Sequence, residues 1–156
     1  MTEIRKSTII MASQDTIWKI VSDPTRAPDW MPDVTGRQIL TPLPVSLGTI
    51  WVENGLLRGR PYRIEYQLIE WNPPASMAYQ HMASGNKKSY RWIERLEIEP
   101  AEGGCRVTAT LDYQMPGGLF GTLYDRLLFR KDFDITLENR LEKLKELLEQ
   151  KGEESA

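Results

Sequence analysis

One histidine and one carboxylate stand out as side chains that could move a proton. His81 is the only histidine in the chain, and imidazole is the side chain whose ordinary pKa lies closest to neutral pH. Glu94 alternates with Trp92 and Leu96, and desolvation beside these residues would raise the pKa of its carboxyl group, which suits an acid or a hydroxyl-binding group. The alternatives are a histidine hydrogen-bonded at the rim of a sheet and a carboxylate paired with an arginine such as Arg130.

Other common chemistries lack their sequence signatures. The chain has no CxxC or HxxxH spacing for a metal ion and no GxSxG turn for a serine nucleophile. It also has neither a phosphate loop nor a GxGxxG dinucleotide fingerprint. We therefore predict no metal ion and no cofactor, and only His81 and Glu94 are candidates for catalysis.

Composition narrows the class of protein and its partners. The 156 residues suffice for one domain, which we place at residues 1–152, with a frayed tail at 153–156. A net charge of −2 argues against nucleic acid as a partner, and no apolar run reaches the ~20 residues of a membrane span. The single cysteine, Cys105, cannot form an internal disulfide, so we expect a cytoplasmic protein. The sequence leaves the oligomeric state open.

Along the first two thirds of the chain, the spacing of the apolar residues changes from a mixture of strand-like and helix-like periods to regular alternation. Ile4–Met11 predicts a strand, and Gln14–Val21 predicts a short helix with Ser13 as its N-cap. A further helical turn is expected near residues 26–30. Beyond it, alternation and turn residues predict six more strands, at Thr35–Thr41, Thr49–Asn54, Tyr62–Trp71, Met77–Ala83, Ser89–Glu99 and Cys105–Met115.

The last long stretch, Leu119–Gln150, contains no proline and predicts one long helix. Arg130 and Asp134 share a face with its leucines, which indicates either a kinked or drifting stripe or a pair of charges that faces a cavity. The leucines on this face are Leu119, Leu123, Leu127, Leu137, Leu141, Leu144 and Leu148. Of these we expect Leu123, Leu127, Leu137, Leu141 and Leu144 to be among the most buried residues of the helix.

Several short motifs, in order, carry a resemblance along nearly the whole chain. They are the opening strand with Ala12–Ser13 and Ile17–Asp23, then Pro28–Val34, Gly48–Thr49, Glu70–Pro74, Gly103–Thr108, and Pro116–Gly118 with the final helix. This order and spacing resemble the StAR-related lipid-transfer and polyketide cyclase/dehydrase superfamily (SRPBCC). The resemblance implies the α+β helix-grip fold, in which a curved antiparallel sheet of six or seven strands wraps around one long C-terminal helix. It also implies two short helices after the first strand.

Alternation along the strands predicts which side chains face the helix and line a cavity. In the resembling families the loop that holds Trp30 and Met31 closes the mouth of the cavity, although core packing is as good an explanation of these two residues. The predicted ligand-binding residues are Trp30, Met31, Tyr66, Tyr79, His81, Trp92, Glu94, Tyr113, Leu123, Leu127 and Arg130.

Three functions are compatible with this site. The first is binding or transport of a hydrophobic small molecule, such as a lipid, a polyketide or a quinone-like compound, in an internal cavity. The second, implied by the resemblance alone, is a polyketide cyclase or aromatase in which His81 or Glu94 moves protons. The third is a protein-interaction module. We favour the first, because one histidine and one carboxylate are few groups for catalysis.

Overall fold

Seven strands form one antiparallel sheet. The computed structural model describes residues 2–82, 91–114, 123 and 129–154, with side chains up to residue 150. Its strands are β1 (Thr2–Ile10), β2 (Val34–Ile39), β3 (Ile50–Leu57), β4 (Arg60–Asn72), β5 (Ser76–His81), β6 (Trp92–Ala101) and β7 (Gly104–Tyr113). Their order across the sheet is β1-β7-β6-β5-β4-β3-β2, so β1 alone pairs with a strand distant in sequence. The predicted fold class is confirmed.

Two irregularities interrupt the strand pairing. The register between β2 and β3 shifts between Val34 and Gly36, and that between β4 and β5 shifts between Leu68 and Glu70. Such bulges bend a strand and increase its twist. They help the sheet to curve, which gives it a concave face.

The turn between β6 and β7 requires glycine. Gly103 and Gly104 have φ angles of 83° and 147°, a region that side chains disfavour. A Cβ atom on Gly104 would lie 2.0 Å from the carbonyl oxygen of Ile10. The missing side chain therefore lets the end of β1 approach this turn, where Ile10 pairs with Cys105.

Two short helices follow β1, as predicted. Helix α1 (Gln14–Val21) begins at Ser13, whose Oγ accepts a hydrogen bond of 3.2 Å from the Thr16 amide. A 3₁₀ turn at Pro24–Arg26 leads into α2 (Ala27–Trp30). Both helices bury their apolar side chains in the core, at Ile17, Ile20, Val21, Ala27 and Trp30.

The long helix α3 (Arg130–Glu154) packs against β1, β7 and α2. The leucines predicted to be buried, Leu137, Leu141 and Leu144, are at most 4% exposed. Leu123 was also expected in the core, but it is 56% exposed, so this part of the prediction is wrong. The apolar stripe of the last turns does not extend back to that position. The helix reaches Glu154, beyond the predicted end at Gln150, while Leu119 and Leu127 lie outside the described residues. None of the helices in the described part of the chain combines the length and the apolar character of a membrane span.

Packing of α3 predicts the cost of truncating its central leucine. Leu144 is fully buried, so Leu144→Ala should lower the free energy of unfolding by about 2–5 kcal/mol, through lost apolar burial and the cavity left behind. Leu47→Ala is the matched control, because Leu47 is 64% exposed and its truncation should cost less than about 0.5 kcal/mol. Urea denaturation of both variants measures the difference, and equal losses would contradict this packing.

Candidate functional site

A cavity of about 450 Å³ lies among residues of strands β3 to β7 and of helix α3. This volume falls within the range of sites that hold small molecules. Most of its wall is apolar, formed by Leu57, Ile64, Tyr66, Trp92, Leu111, Phe129, Phe133 and Leu137. Such a wall favours an apolar ligand, because burying apolar surface is the main source of affinity in a dry pocket.

Aromatic rings make one part of this wall rigid. The Phe133 ring meets the Trp92 ring edge to face at a centroid distance of 5.1 Å, and it meets the Tyr113 ring in the same way at 5.2 Å. Trp92 and Tyr113 are 5.6 Å apart. The three rings join β6, β7 and α3, and the two edge-to-face contacts have a favourable arrangement for aromatic pairs.

Arg140 is the buried charge that joins helix α3 to the rest of the site. Its Nε donates to Asp33 Oδ1 at 2.8 Å, and its Nη2 donates to Asp33 Oδ2 at 2.5 Å. Its Nη1 donates to Glu94 Oε1 at 2.7 Å. One guanidinium therefore binds the loop before β2 through a two-pronged contact and binds β6 through a single one.

A second buried arginine, Arg37, forms a separate cluster of contacts. Arg37 Nε donates to Glu53 Oε1 at 2.7 Å, and Arg37 Nη2 donates to the Tyr79 hydroxyl at 3.1 Å. The guanidinium carbon also lies 5.1 Å from the Trp51 ring centroid and 5.2 Å from that of Tyr79. Hydrogen bonds and ring contacts together offset the cost of burying this cation.

Tyr62 links the two arginine clusters into one network. Its hydroxyl lies 3.0 Å from Glu53 Oε2 and 3.3 Å from Asp33 Oδ2, so it can donate to either carboxylate. Asp33, Glu53, Tyr62, Glu94 and Arg140 all line the cavity. A charged and hydrogen-bonded network thus forms one part of an otherwise apolar wall.

Burial and pairing act against each other on the pKa values of this network. Burial favours a neutral Asp33, but the hydrogen bonds and the positive charge of Arg140, together with hydrogen bonds from the backbone and from Tyr62, outweigh it and hold the pKa of the Asp33 carboxyl below its usual value. Burial likewise opposes the charge on Arg140, while Glu94 and Asp33 outweigh it and raise the pKa of the guanidinium. Burial raises the pKa of Tyr62, and the negative charge of Glu53 raises it further, so the phenol stays protonated.

Two polar atoms of β6 remain without partners. Glu94 Oε2 and Trp92 Nε1 are buried, and neither forms a hydrogen bond with the residues that the structure describes. The first is an acceptor and the second a donor, and both residues line the cavity. A buried polar atom without a partner is costly, so these atoms are candidates to bind a molecule in the cavity.

Comparison with known proteins assigns the chain to a family. Residues 1–149 match the family described as polyketide cyclase / dehydrase and lipid transport. The chain belongs to this family. It is also 23% identical over 141 residues to the uncharacterized protein Rv2574 of Mycobacterium tuberculosis. The aligned region covers 90% of this chain and 81% of that protein.

Solved structures show the same fold in proteins of different kinds. TTHA0849 from Thermus thermophilus has 19% identity and a TM-score of 0.74 over 93% of this chain and 95% of its own. Ginseng major latex-like protein 151 from Panax ginseng has 10% identity and a TM-score of 0.76, over 94% and 97%. The di-domain ARO/CYC BexL has 17% identity and a TM-score of 0.68, where 93% of this chain matches 45% of BexL.

In this member of the polyketide cyclase / dehydrase and lipid-transport family, four of the predicted ligand-binding residues line the cavity: Tyr66, His81, Trp92 and Glu94. His81 is half-buried, and this burial lowers the pKa of its imidazole, so the neutral form predominates near pH 7. The structure thus brings the histidine and the carboxylate singled out in the sequence to one cavity.

Other predicted residues lie behind the cavity wall or away from it. Tyr79 and Tyr113 are buried and support the wall through the ring and hydrogen-bond contacts described above. Trp30 and Met31 are at most 4% exposed and pack in the core, and neither lines the cavity. Met31 instead accepts a hydrogen bond of 3.5 Å from Arg37 through its sulfur atom.

Two predictions about charged residues need correction. Arg130 is exposed and does not line the cavity, and Asp134 pairs with Lys6 at 2.9 Å on the surface. The arginine that pairs with Glu94 is Arg140, which shares the buried face of α3 with Leu137 and Leu144. Leu123 is exposed and is absent from the cavity wall, and Leu127 lies outside the described residues.

Sequence reasoning missed most of the polar network. Asp33, Arg37, Glu53, Tyr62 and Arg140 were not predicted as site residues. A signal was available for two of them. Glu53 follows Trp51 by two positions in a strand, and Arg140 lies three positions after Leu137 and four before Leu144, so both fall on inward faces. Arg37 is the direct cross-strand partner of Glu53, which only the register reveals.

Removing Arg140, the central cation of this network, should have a large and pH-dependent effect on the free energy of unfolding. Arg140→Met should lower the free energy of unfolding by about 3–5 kcal/mol at pH 7, because Asp33 and Glu94 would remain buried without their cation. The lowered pKa of Asp33 stabilises the parent above the unfolded pKa of about 4, and this contribution is lost as pH falls through the folded value. The variant loses this contribution, so its deficit should persist from pH 7 to about pH 4 and should shrink as pH falls below about 4, where Asp33 of the parent becomes protonated. Urea denaturation across this range measures it.

Arg95→Met provides the matched control. Arg95 pairs with Glu70 at 2.6 Å on the other face of the sheet, where the two side chains are 40% and 30% exposed. Its replacement should cost about 1 kcal/mol or less. If the two variants lose the same free energy of unfolding at pH 7, the buried network does not stabilise the fold as described.

Proposed function

We propose that this protein binds and carries a hydrophobic small molecule, of lipid, polyketide or quinone-like character, in the cavity between the sheet and α3. The observation that carries the proposal is a cavity of about 450 Å³ whose aromatic and aliphatic wall includes one buried polar network. Apolar walls with a few fixed polar groups are the usual form of a small-molecule site. Membership of a family described as polyketide cyclase / dehydrase and lipid transport supports the same conclusion.

The two parts of the wall have different tasks in this proposal. Apolar surface transferred from water to the cavity contributes about 25 cal/mol per Å², which supplies affinity without requiring a particular atom arrangement. The polar network sets the orientation, because its donors and acceptors are held in fixed positions by Arg140 and Arg37. A ligand with an apolar body and one polar end satisfies both parts.

The hydrogen-bonding of the network favours binding over chemistry. Arg140 directs all three nitrogen atoms at carboxylates, and Tyr62 donates to one carboxylate as well. These groups hold one another in place, so they are poor candidates to transfer protons. The resulting site is rigid, which lowers the entropic cost of orienting a bound molecule.

Filling the cavity should abolish uptake. Ile64 lines the cavity, so Ile64→Trp should occupy part of its volume and weaken binding of the neutral fluorophore N-phenylnaphthylamine by about tenfold or more. Ile69→Trp is the control, since Ile69 lies on the same strand, is 37% exposed and does not line the cavity. Fluorescence titration measures both variants, with circular dichroism to confirm folding. Uptake unchanged in folded Ile64→Trp would mean that the ligand lies elsewhere.

A second function, a polyketide cyclase or aromatase, is favoured by one specific observation. His81 and Glu94 line the same cavity, and the lowered pKa of His81 keeps its imidazole neutral and able to accept a proton near pH 7. A solved structure with the same fold, BexL, is itself described as an ARO/CYC protein of a biosynthetic pathway. In this alternative the cavity would fold a polyketide chain beside the two residues.

His81→Gln separates the two functions. Glutamine keeps hydrogen-bonding capacity and removes the group that titrates near neutral pH. A carrier should bind N-phenylnaphthylamine or a co-purified ligand with an affinity changed by about 1 kcal/mol at most. An enzyme that uses His81 as a base should lose about 10²–10⁴-fold in turnover while binding persists. Turnover by the parent that collapses in this variant would replace the carrier by the cyclase.

A further inference from the structure

The polar part of the cavity wall includes an acceptor without a partner among the described residues, and most N–H groups of its buried Arg140 are engaged. Glu94 is 6% exposed, its Oε1 accepts from Arg140, and its Oε2 is buried without a hydrogen bond to any described residue. Arg140 Nε, Nη1 and Nη2 all donate to carboxylates. Three of the five N–H groups of this guanidinium are thus engaged by carboxylates, whereas Glu94, a residue of the cavity wall, keeps one oxygen without a described partner.

The formal charge of the network supports the same conclusion. Two buried carboxylates, from Glu53 and Glu94, and the partly buried carboxylate of Asp33 face two buried guanidinium groups, from Arg37 and Arg140, which leaves one formal negative charge. A ligand carboxylate placed here would be desolvated beside this excess charge, which is unfavourable. Arg63 also lines the cavity, but its side chain is exposed, so solvent screens its attraction for an anion.

We infer that the natural ligand presents a hydrogen-bond donor, either a hydroxyl or a protonated amine, to Glu94 Oε2, and that free carboxylic acids are selected against. The inference rests on the proposed function and adds the chemical class of the ligand's polar end. A hydroxyl can donate to the unpartnered oxygen, and its own oxygen can accept from a donor such as Trp92 Nε1, the second unpartnered atom of β6. An ammonium group satisfies the oxygen and in addition neutralises the excess charge.

The test compares three ligands with one apolar body. Decanol, decylamine and decanoate are titrated at pH 7 against the unmodified protein loaded with N-phenylnaphthylamine, and displacement gives their affinities. The alcohol or the amine should bind about 10- to 100-fold more tightly than the acid, the scale of one hydrogen bond to a buried charged group. Whichever of the two binds more tightly identifies the donor as neutral or cationic.

Glu94→Gln should change this preference in a defined way. Arg140 Nη1 needs an acceptor, so the amide oxygen should take the place of Oε1 and the amide nitrogen that of Oε2. The acceptor in the cavity then becomes a donor, and the formal negative charge is removed. Decanoate should gain about tenfold or more, and decylamine should lose a similar factor. Glu97→Gln is the matched control, since Glu97 lies on β6 three residues on, on the opposite face, and should change nothing.

The outcomes separate the two proposals. Decanoate that binds as tightly as decanol and decylamine, or more tightly, overturns the inference about the ligand while the carrier function stands. A folded Glu94→Gln variant with the parent's order of affinities overturns it as well, and the ligand series on the parent decides alone if the variant does not fold. If neither the fluorophore nor any of the three ligands binds, the carrier proposal fails, and the inference fails with it.

Discussion

The buried guanidinium of Arg140 is the contact on which the site depends. It is the point where α3, the loop before β2 and the centre of the sheet meet, since its three nitrogen atoms bind Asp33 and Glu94. Apolar packing of Leu141, Leu144 and Leu148 attaches the helix to the core but permits many small adjustments. A charged fork with fixed donors permits few, because each donor must meet an oxygen at hydrogen-bond distance. The position of α3 over the cavity is therefore set by electrostatics as well as by packing.

The fold could be predicted from local patterns because its elements are locally consistent. Alternation, turn residues and an N-cap at Ser13 defined the strands and α1 to within a few residues, and short connections implied antiparallel neighbours. The exposed position of Leu123 shows the limit of this reasoning. Helical periodicity predicts which residues share a face but not where along the helix that face stops being covered, because covering depends on tertiary contacts.

The site was harder to predict than the fold for a related reason. Glu94 and His81 were found because each stands out within its own segment, as an isolated polar residue at an inward position or as the only histidine. Arg37 pairs with Glu53 across 16 residues of the sequence, and Arg140 pairs with Glu94 across 46. Arg130 attracted the prediction because it lies on the extrapolated leucine face, yet it is exposed. Periodicity places Glu53 and Arg140 on inward faces, but it does not show which charged residues pair, so only the register and the packing of α3 identify the pairs.

The small contribution that buried ion pairs make to stability bears on the function of this network. Buried ion pairs are weak contributors to stability, and apolar side chains of similar volume often replace them without loss or with a gain. A wall built for stability alone would then have no need of five charged groups, nor of a carboxylate oxygen left without a partner among the described residues. Under the proposed function this oxygen has a role, which is to accept a hydrogen bond from the ligand. An apolar cavity binds any molecule of suitable shape, whereas a fixed acceptor beside excess negative charge penalises ligands that lack a donor at that position. The stability lost by burying these charges is then the cost of selecting among hydrophobic molecules.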